Sequence, residues 1–404
     1  MSKTPKLRFK EFSGDWEEKK LGTLGQFLKG STLSKADLSE EGKPCVLYGE
    51  LYTKYNEVIN NVISKTNLEN DKLVLGQKND VLIPSSGETA IDIATASCLQ
   101  QDNVILGGDL NVFRSDKVNG VFTSYQLNSS KKREIARLSQ GASVVHIYND
   151  QLKKIKLSVP SKEEQEKIAS FFSLIDYKIS LQGEKVEALK DYKRGMMQKI
   201  FSRELRFKDD EGRDYPEWED TELKEMIALT IDNRGKTPPT VQNGIPLLEV
   251  NSLGGIYPDF KQINKFVDEE TYNEWFRNHI QEGDLLFTTV GATGLVSLAN
   301  STKSCIAQNI VGFRFKEGYT SKFMYNLFNY RETMKRIKAI EMGAVQPSIK
   351  VTQLIKLKFS IPSIDEQIKI GKILSSIDLK IEKEQEKLDS LNEYKKGLLQ
   401  QMFV

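Results

Sequence analysis

The chain is poor in the residues that carry most site chemistry. Only two of its 404 residues are histidine, His146 and His279, which excludes a histidine-rich metal site or a multi-histidine catalytic centre. Cysteine is nearly as scarce: Cys45, Cys98 and Cys305 are odd in number, lie far apart and form no CxxC pair. No disulfide framework or zinc knuckle is thereby indicated, and a reducing cytoplasm is the expected compartment. No run approaches the roughly 18 apolar residues of a membrane span. The basic stretch Met1–Lys10 lacks the apolar core of a secretory signal. A charge excess of one sign is missing too, with 58 lysines and arginines against 56 aspartates and glutamates. Any affinity for nucleic acid must therefore come from local charge.

Catalytic motifs are also lacking. Gly235-Lys236-Thr237 ends like a phosphate-binding loop, but Thr230 stands where the first glycine belongs. Thr237-Pro238-Pro239-Thr240 superficially resembles the catalytic loop of adenine-N6 methyltransferases, yet has threonine at both ends, where Asp or Asn and an aromatic are needed. No GxGxxG follows a strand-like run, and no GxSxG, HExxH or paired metal-carboxylate motif occurs. A catalytic residue, a metal site or a cofactor bound by this chain is therefore not expected. No nucleophile accompanies His146, which reads as a polar loop residue or a DNA contact.

What the sequence does contain is a duplication. Leu152–Phe201 and Leu354–Phe403 align at an offset of 202 without a gap, with 23 of 50 positions identical. Outside them the repeat is fainter. Gly141-Ala142 matches Gly343-Ala344, Trp16 and Leu21 match Trp218 and Leu223, and Leu7-Arg8-Phe9-Lys10 resembles Leu205-Arg206-Phe207-Lys208. Asp80-Val81-Leu82-Ile83 echoes Asp284-Leu285-Leu286-Phe287, and Val112-Phe113-Arg114 echoes Gly312-Phe313-Arg314. Two variable blocks (1–151 and 203–353) thus each precede a matched tail (152–202 and 354–404). The tails do the same job, and the blocks do different versions of one job.

Each tail opens with a strand-like run closed by Pro160 or Pro362. Ser161-x-x-Glu164 and Ser363-x-x-Glu366 then have capping-box spacing. Apolar residues follow in steps of four and three: Ile168, Phe172, Ile175, Ile179, Val186 and Leu189, matched by Ile370, Leu374, Ile377, Ile381, Leu388 and Leu391. A sustained 3.5-residue period is a coiled-coil seam. Gln182 and Lys193 interrupt one seam where Glu384 and Lys395 interrupt the other, polar positions suited to fixing register. Each helix is long enough, at about 1.5 Å per residue, to exceed one domain. Antiparallel pairing is favoured over parallel because a head-to-tail repeat then closes on itself with a pseudo-twofold axis. A single amphipathic helix lying on a globular core is the plainer alternative.

The blocks read as mixed α/β. Strand-like runs occur at Lys43–Tyr48, Lys72–Leu75, Asp80–Pro84, Val112–Arg114, Ile245–Val250, Asp284–Val290 and Gly312–Phe315, with helical patterns at Thr123–Leu138 and Ser321–Ile340. The expected architecture is α+β: two pseudo-twofold-related mixed domains joined by two long helices in an antiparallel coiled coil. Small polar loops supply candidate donors to phosphates or base edges at Lys29, Ser31, Thr32, Lys35, Ser85, Ser86, Thr89, Arg234, Lys236, Thr237, Thr288 and Thr293. Ordinary turns have the same composition. Charge is more telling: Lys131–Lys156 and Arg331–Lys358 each carry a net +5, and Lys131, Lys132, Arg133, Lys335 and Arg336 are candidate phosphate contacts. His146, Gln346 and Ser348, in the loops that end the blocks, complete the candidates.

Two variable blocks, each followed by a Pro-Ser-x-x-Glu-Gln helix, resemble the specificity subunit of a type I restriction–modification enzyme. The resemblance spans the whole chain. It rests on Val159-Pro-Ser-Lys-Glu-Glu-Gln165, on Ile361-Pro-Ser-Ile-Asp-Glu-Gln367, and on the loops Gly141–Tyr148 and Gly343–Ile349. It implies that the blocks are target recognition domains, each reading one half of a split double-stranded DNA sequence. The helices then form a spacer and a docking surface for two modification subunits. S-adenosylmethionine, ATP and Mg would belong to those and to the restriction subunits, not to this chain. Gln346-Pro347 fits the family's second-block loop. Val144-Val145 does not, so a contact inferred for Gln346 does not transfer to Val144. Two other classes stay open: a coiled-coil scaffold that binds no DNA, and a self-sufficient DNA enzyme. The duplicated basic segments weigh against the first, and the missing motifs against the second.

Overall fold

The computed structural model describes residues 4–141, 144–233 and 235–404. The chain forms two compact units, Met1–Gly183 with Glu386–Val404, and Glu184–Gln385. In the first unit, Val81–Pro84 is buried along its whole length, as a continuous Val-Leu-Ile-Pro run predicts. It lies central in a five-stranded sheet ordered Gln26–Lys29, Leu110–Arg114, Val81–Pro84, Ser97–Leu99 and Val58–Ile59. A second five-stranded sheet runs Leu38–Ser39, Ser64–Thr66, Lys43–Val46, Val104–Leu106, Val74–Gly76. In the second unit Leu285–Thr288 takes the central role, in a four-stranded sheet ordered Ile227–Ile231, Ile310–Phe315, Leu285–Thr288 and Val296–Leu298. Its companion sheet has three strands, Phe266–Val267, Ile245–Leu248 and Cys305–Ile306.

Two expectations need correction. The helical pattern at 123–138 is two helices, Gly120–Asn128 and Lys132–Leu138, and that at 321–340 is Ser321–Asn329 and Arg331–Lys338. In the second unit Tyr330 is extended (φ −69, ψ 132), ending one helix and starting the next. The break turns both short helices inward, where Tyr125, Phe122, Ile135, Phe323, Phe328 and Ile337 are buried. A straight helix would leave one of those faces in water.

The capping box is the other correction. Ser161 Oγ accepts from the Glu164 amide (3.3 Å), but the Glu164 carboxylate turns away to Arg8, whose Nε and Nη2 each donate at 2.7 Å. Glu366 likewise accepts from Arg206 Nε and Nη2 (3.3 and 3.0 Å) and from Trp218 Nε1 (3.1 Å). Both carboxylates are 1% exposed. A buried carboxylate is held better by a two-pronged guanidinium than by one backbone amide. The neighbouring glutamines are used as consistently. Gln165 Oε1 accepts from Asn119 N, and Gln367 Oε1 from Thr320 N, so each fixes the residue that caps the helix beginning at Gly120 or Ser321. The Glu-Gln pair therefore clamps the tail to the arm before it and to the domain beside it.

The long helices are Lys162–Phe201 and Ile364–Met402. The expected seam residues Ile168, Phe172, Ile175, Val186, Ile370 and Leu374 are buried, and Ile179, Leu189, Ile377, Ile381, Leu388 and Leu391 half-buried. Pairing is antiparallel in each unit. In the first, Phe172 stacks on Phe403 (5.8 Å) and Asp176 pairs with Lys395 (2.7 Å). In the second, Lys185 pairs with Glu384 (3.0 Å) and Lys193 with Asp378 (2.6 Å). The polar seam lysines thus have specific partners, as a register device requires. Lys395 also reaches Glu57 at 2.8 Å. Burial lifts Asp176 and Asp378 above the usual carboxylate range, against the pull of the two lysines.

Candidate nucleic-acid interface

Backbone hydrogen bonds join four loops of the first unit into one edge. Gly30 N donates to Leu110 O (3.0 Å), Ser31 N to Leu106 O (2.9 Å), Ser85 N to Asp109 O (2.7 Å) and Ile147 N to Ser85 O (3.1 Å). Asn111, buried, donates through Nδ2 to Ile147 O (3.1 Å) and Pro84 O (3.4 Å), pinning the last loop to the central strand. Loops 29–35, 84–89 and 107–109 and the hairpin residues 144–148 therefore sit side by side, although the sequence separates them widely.

The second unit repeats the arrangement. Thr289 N donates to Asn309 O (2.8 Å) and Ile349 N to Thr289 O (2.8 Å). Both block-ending loops are hairpins closed by paired backbone bonds, between Gln140 and His146 (3.0 and 2.8 Å) and between Met342 and Ser348 (2.8 Å each). Gly141 and Gly343 have φ of +133 and +90, and a Cβ there would meet the Val144 or Gln346 carbonyl oxygen. The matched glycines Gly141 and Gly343 are thus a turn requirement. Each hairpin lies against the central strand's exit: His146 pairs with Ser86, and Ser348 bridges Val290.

The structure separates the predicted site residues into two sets. Lys29, Thr32 and Lys35 are exposed on the first loop of unit one, and Thr89 is exposed where it accepts from Asp92 N to cap the short helix Ala90–Ile93. The helix Lys132–Leu138 packs on that short helix, which brings exposed Arg133 and half-exposed Lys131 and Lys132 next to this edge. In unit two Lys236, Thr237 and Gln346 are exposed. Arg234 lies outside the described residues.

The other set faces inward, which corrects the expectation of presented donors. Ser31, Ser85, Ser86, Thr288 and Thr293 are buried. Ser31 Oγ donates to Leu106 O (2.7 Å), and Ser86 Oγ lies 3.0 Å from His146 Nδ1. Thr288 Oγ1 donates to Ala292 O (2.6 Å) and accepts from Leu295 N (2.8 Å). The Thr293 hydroxyl donates to Glu341 and accepts from Lys338. These hydroxyls shape the loops. The basic segments are also partly neutralised in place: Lys153 pairs with Asp150, Lys156 with Glu18 and Lys335 with Glu332, while Arg336 donates to Lys358 O and covers the Phe359 ring.

Sequence reading missed Asp109 and Asn309, whose carbonyl oxygens each accept the amide just after the central strand although only Asp109 is left-handed, and Asn111, whose role depends on a distant hairpin. It also missed Val345, 99% exposed at a hairpin tip beside Gln346. The faint Asp80 and Arg114 echoes prove to be structural: Arg114 and Arg314 form two-pronged pairs with Asp80 and Asp284 that tie adjacent strands. Among the described residues no group of histidine, cysteine and carboxylate side chains is placed to hold a metal ion.

Two duplicated domains with matched frames and unlike loop edges are the architecture a bipartite reader needs. The family model of the type I restriction modification DNA specificity domain matches twice, at residues 13–191 and 215–393. The chain belongs to that family. Its similarity to two specificity subunits from Methanocaldococcus jannaschii runs the whole length. The type I restriction enzyme MjaVIII specificity subunit is 25% identical over 97% of this chain and 94% of its own, and the putative type I restriction enzyme MjaX specificity subunit is 25% identical over 98% and 94%. The fold resembles that of the type I S subunit from M. genitalium, with a TM-score of 0.63, 17% identity and 99% of both chains covered. A structure described in connection with complex assembly and conformational transition of a type I system matches with a TM-score of 0.56, at 15% identity over 95% of this chain and 96% of that one. Membership in the DNA specificity family makes this chain a targeting component of a type I system, not one of its catalytic parts. No described helix is long and apolar enough to cross a membrane.

Proposed function

We propose that this chain directs a type I complex to a split, asymmetric double-stranded DNA site in the cytoplasm. The block 1–151 reads one half and 203–353 the other, while the helices within 152–202 and 354–404 set the gap. The observation that carries this reading is the contrast between identical frames and different edges: the same Glu-Gln clamp and hairpin hold His146, Ser86 and Asp109 in one unit but Ser348, Val290 and Asn309 in the other.

Two modification subunits dock on the helices. Support comes from exposed apolar residues repeated at the same offset of 202: Tyr177 and Leu379 are each 61% exposed, and Tyr192 and Tyr394 are 57% and 58% exposed. One partner surface meeting equivalent patches twice accounts for that match. S-adenosylmethionine is then held by the modification subunits, and ATP and Mg by restriction subunits, so this chain contributes specificity and geometry.

Co-expression with the cognate modification subunits, followed by mapping of methyladenine across the host genome, tests the reading. A motif with two unlike halves and a fixed gap is expected; a co-purifying complex without methylation overturns it in favour of a scaffold. Four residues inserted into each long helix add about 6 Å, so at 3.4 Å per base pair the gap should widen by one or two pairs.

A further inference from the structure

Asp109 and Asn309 hold the same place in their units. Each accepts, through its carbonyl oxygen, the amide of the residue just after the central strand, Ser85 at 2.7 Å and Thr289 at 2.8 Å. Each immediately precedes the strand beside it, Leu110–Arg114 or Ile310–Phe315, and each adjoins the hairpin through the bond that Ile147 or Ile349 makes to that same neighbour. Asp109 has φ +58, a left-handed backbone in which Asp and Asn are the side chains most readily accommodated. The residue is exposed. With Lys35, Tyr48, Tyr52 and Glu88 it lines a cleft at the loop edge, and its nearest recorded hydrogen-bond partner is Ser85 Oγ, a long 3.5 Å away.

A carboxylate is repelled by phosphate. On an edge that also presents Lys29, Lys35 and Arg133 to a polyanion, a carboxylate is tolerated only where it meets something that donates. In DNA those donors are the exocyclic amino groups of the bases. In the major groove a carboxylate accepts from cytosine N4, while an Asn amide makes a two-point match to adenine N6 and N7. Glu88 also lines the cleft, but the second unit has Ala292 at the place that corresponds to it, whereas 109 and 309 carry an Asp and an Asn at the same place.

The geometry points to positions 109 and 309 as a paired specificity position: Asp109 reads an amino-bearing base, cytosine by preference, in one half-site, and Asn309 reads adenine in the other. This assignment rests on the loop edges being the DNA interface.

The test uses the full chain in complex with its modification subunits. Binding is measured to the methylated motif's own duplex and to a scrambled duplex of equal length, over a salt series. D109N keeps the left-handed backbone and removes the charge. Its affinity for the motif should fall about tenfold to a hundredfold, the range of a good base contact. Its affinity for the scrambled duplex should rise slightly, because a repulsive charge is gone. The methylation map should relax at one position of one half-site. N309D should lower motif affinity and relax one position in the other half alone; because it adds a carboxylate, its affinity for the scrambled duplex should fall slightly instead of rising. D109A removes the acceptor altogether and should relax the same position further. An unchanged motif affinity in both charge variants, or a parallel change on motif and scrambled duplexes, overturns the assignment. A wild-type complex that does not distinguish the two duplexes overturns the interface reading itself.

Discussion

The two units solve one folding problem twice and one recognition problem in two ways. Strand Glu17–Lys20 pairs with Lys156–Val159 in the same register as Glu219–Glu222 with Lys358–Ile361. The Arg-Glu clamp, the Gln-cap contact, the strand-tying Arg-Asp pair and the closed hairpin recur as well. The loop edges share almost none of their side chains. What repeats is whatever fixes the backbone of the edge, and what differs is whatever points out from it. A frame built from buried charge pairs is indifferent to the loops it carries, which is how one architecture can hold many specificities.

The two units also differ in how their buried lysines are paired. In unit one Lys395 serves two carboxylates, Asp176 and Glu57, whereas in unit two Lys193 serves Asp378 alone. The largest effect is therefore expected from K395M. Removing one member of a buried pair costs about 3–5 kcal/mol, and here two carboxylates are stranded. K193M should cost less, and urea unfolding of the two variants gives the order. Equal costs would mean that Glu57 is solvated in place.

A smaller contrast should separate the clamps. Trp218 Nε1 donates to Glu366, while Trp16 Nε1 is buried without a partner among the described residues. E366A should therefore destabilise more than E164A, by about 1 kcal/mol, the worth of one hydrogen bond. Thermal melting of the two single variants checks it, and the reverse order would show that the indole bond contributes nothing.

The smallest effect belongs to the surface. Replacing Lys131, Lys132 and Arg133 by alanine should leave stability nearly unchanged, weaken binding to all DNA sequences alike and flatten the salt dependence. Loss of discrimination at one base with the salt slope intact would instead place these side chains among the readers.

The tails were legible because their physics is local and periodic. The seam from Ile168 to Leu189 and its copy from Ile370 to Leu391 follow from spacing, and the repeated polar positions Lys193 and Lys395 each meet a carboxylate on the facing helix. Their partners were not legible, because Asp176 and Asp378 lie just off the seam. The capping box misled for a related reason: Ser-x-x-Glu spacing is the same whether the glutamate folds back or reaches an arginine about 160 residues away. Serine and threonine in the loops were the hardest to place. Nothing local distinguishes Thr32, which faces water, from Thr288, which closes a turn inside the fold.

One feature of the chain's path bears on its synthesis. Unit two is a continuous stretch, Glu184–Gln385, but unit one includes Glu386–Val404. Its core aromatics Trp16, Phe122 and Phe172 are covered by Phe403, and Leu7 N bonds to Gln401 O. A ribosome adding roughly 5–20 residues per second makes the first recognition domain early and then leaves it unfinished. Its apolar surface stays open through the making of some two hundred further residues. The domain that begins first is therefore the last to close, and its exposure to chaperones and proteases is set by the translation time of its twin.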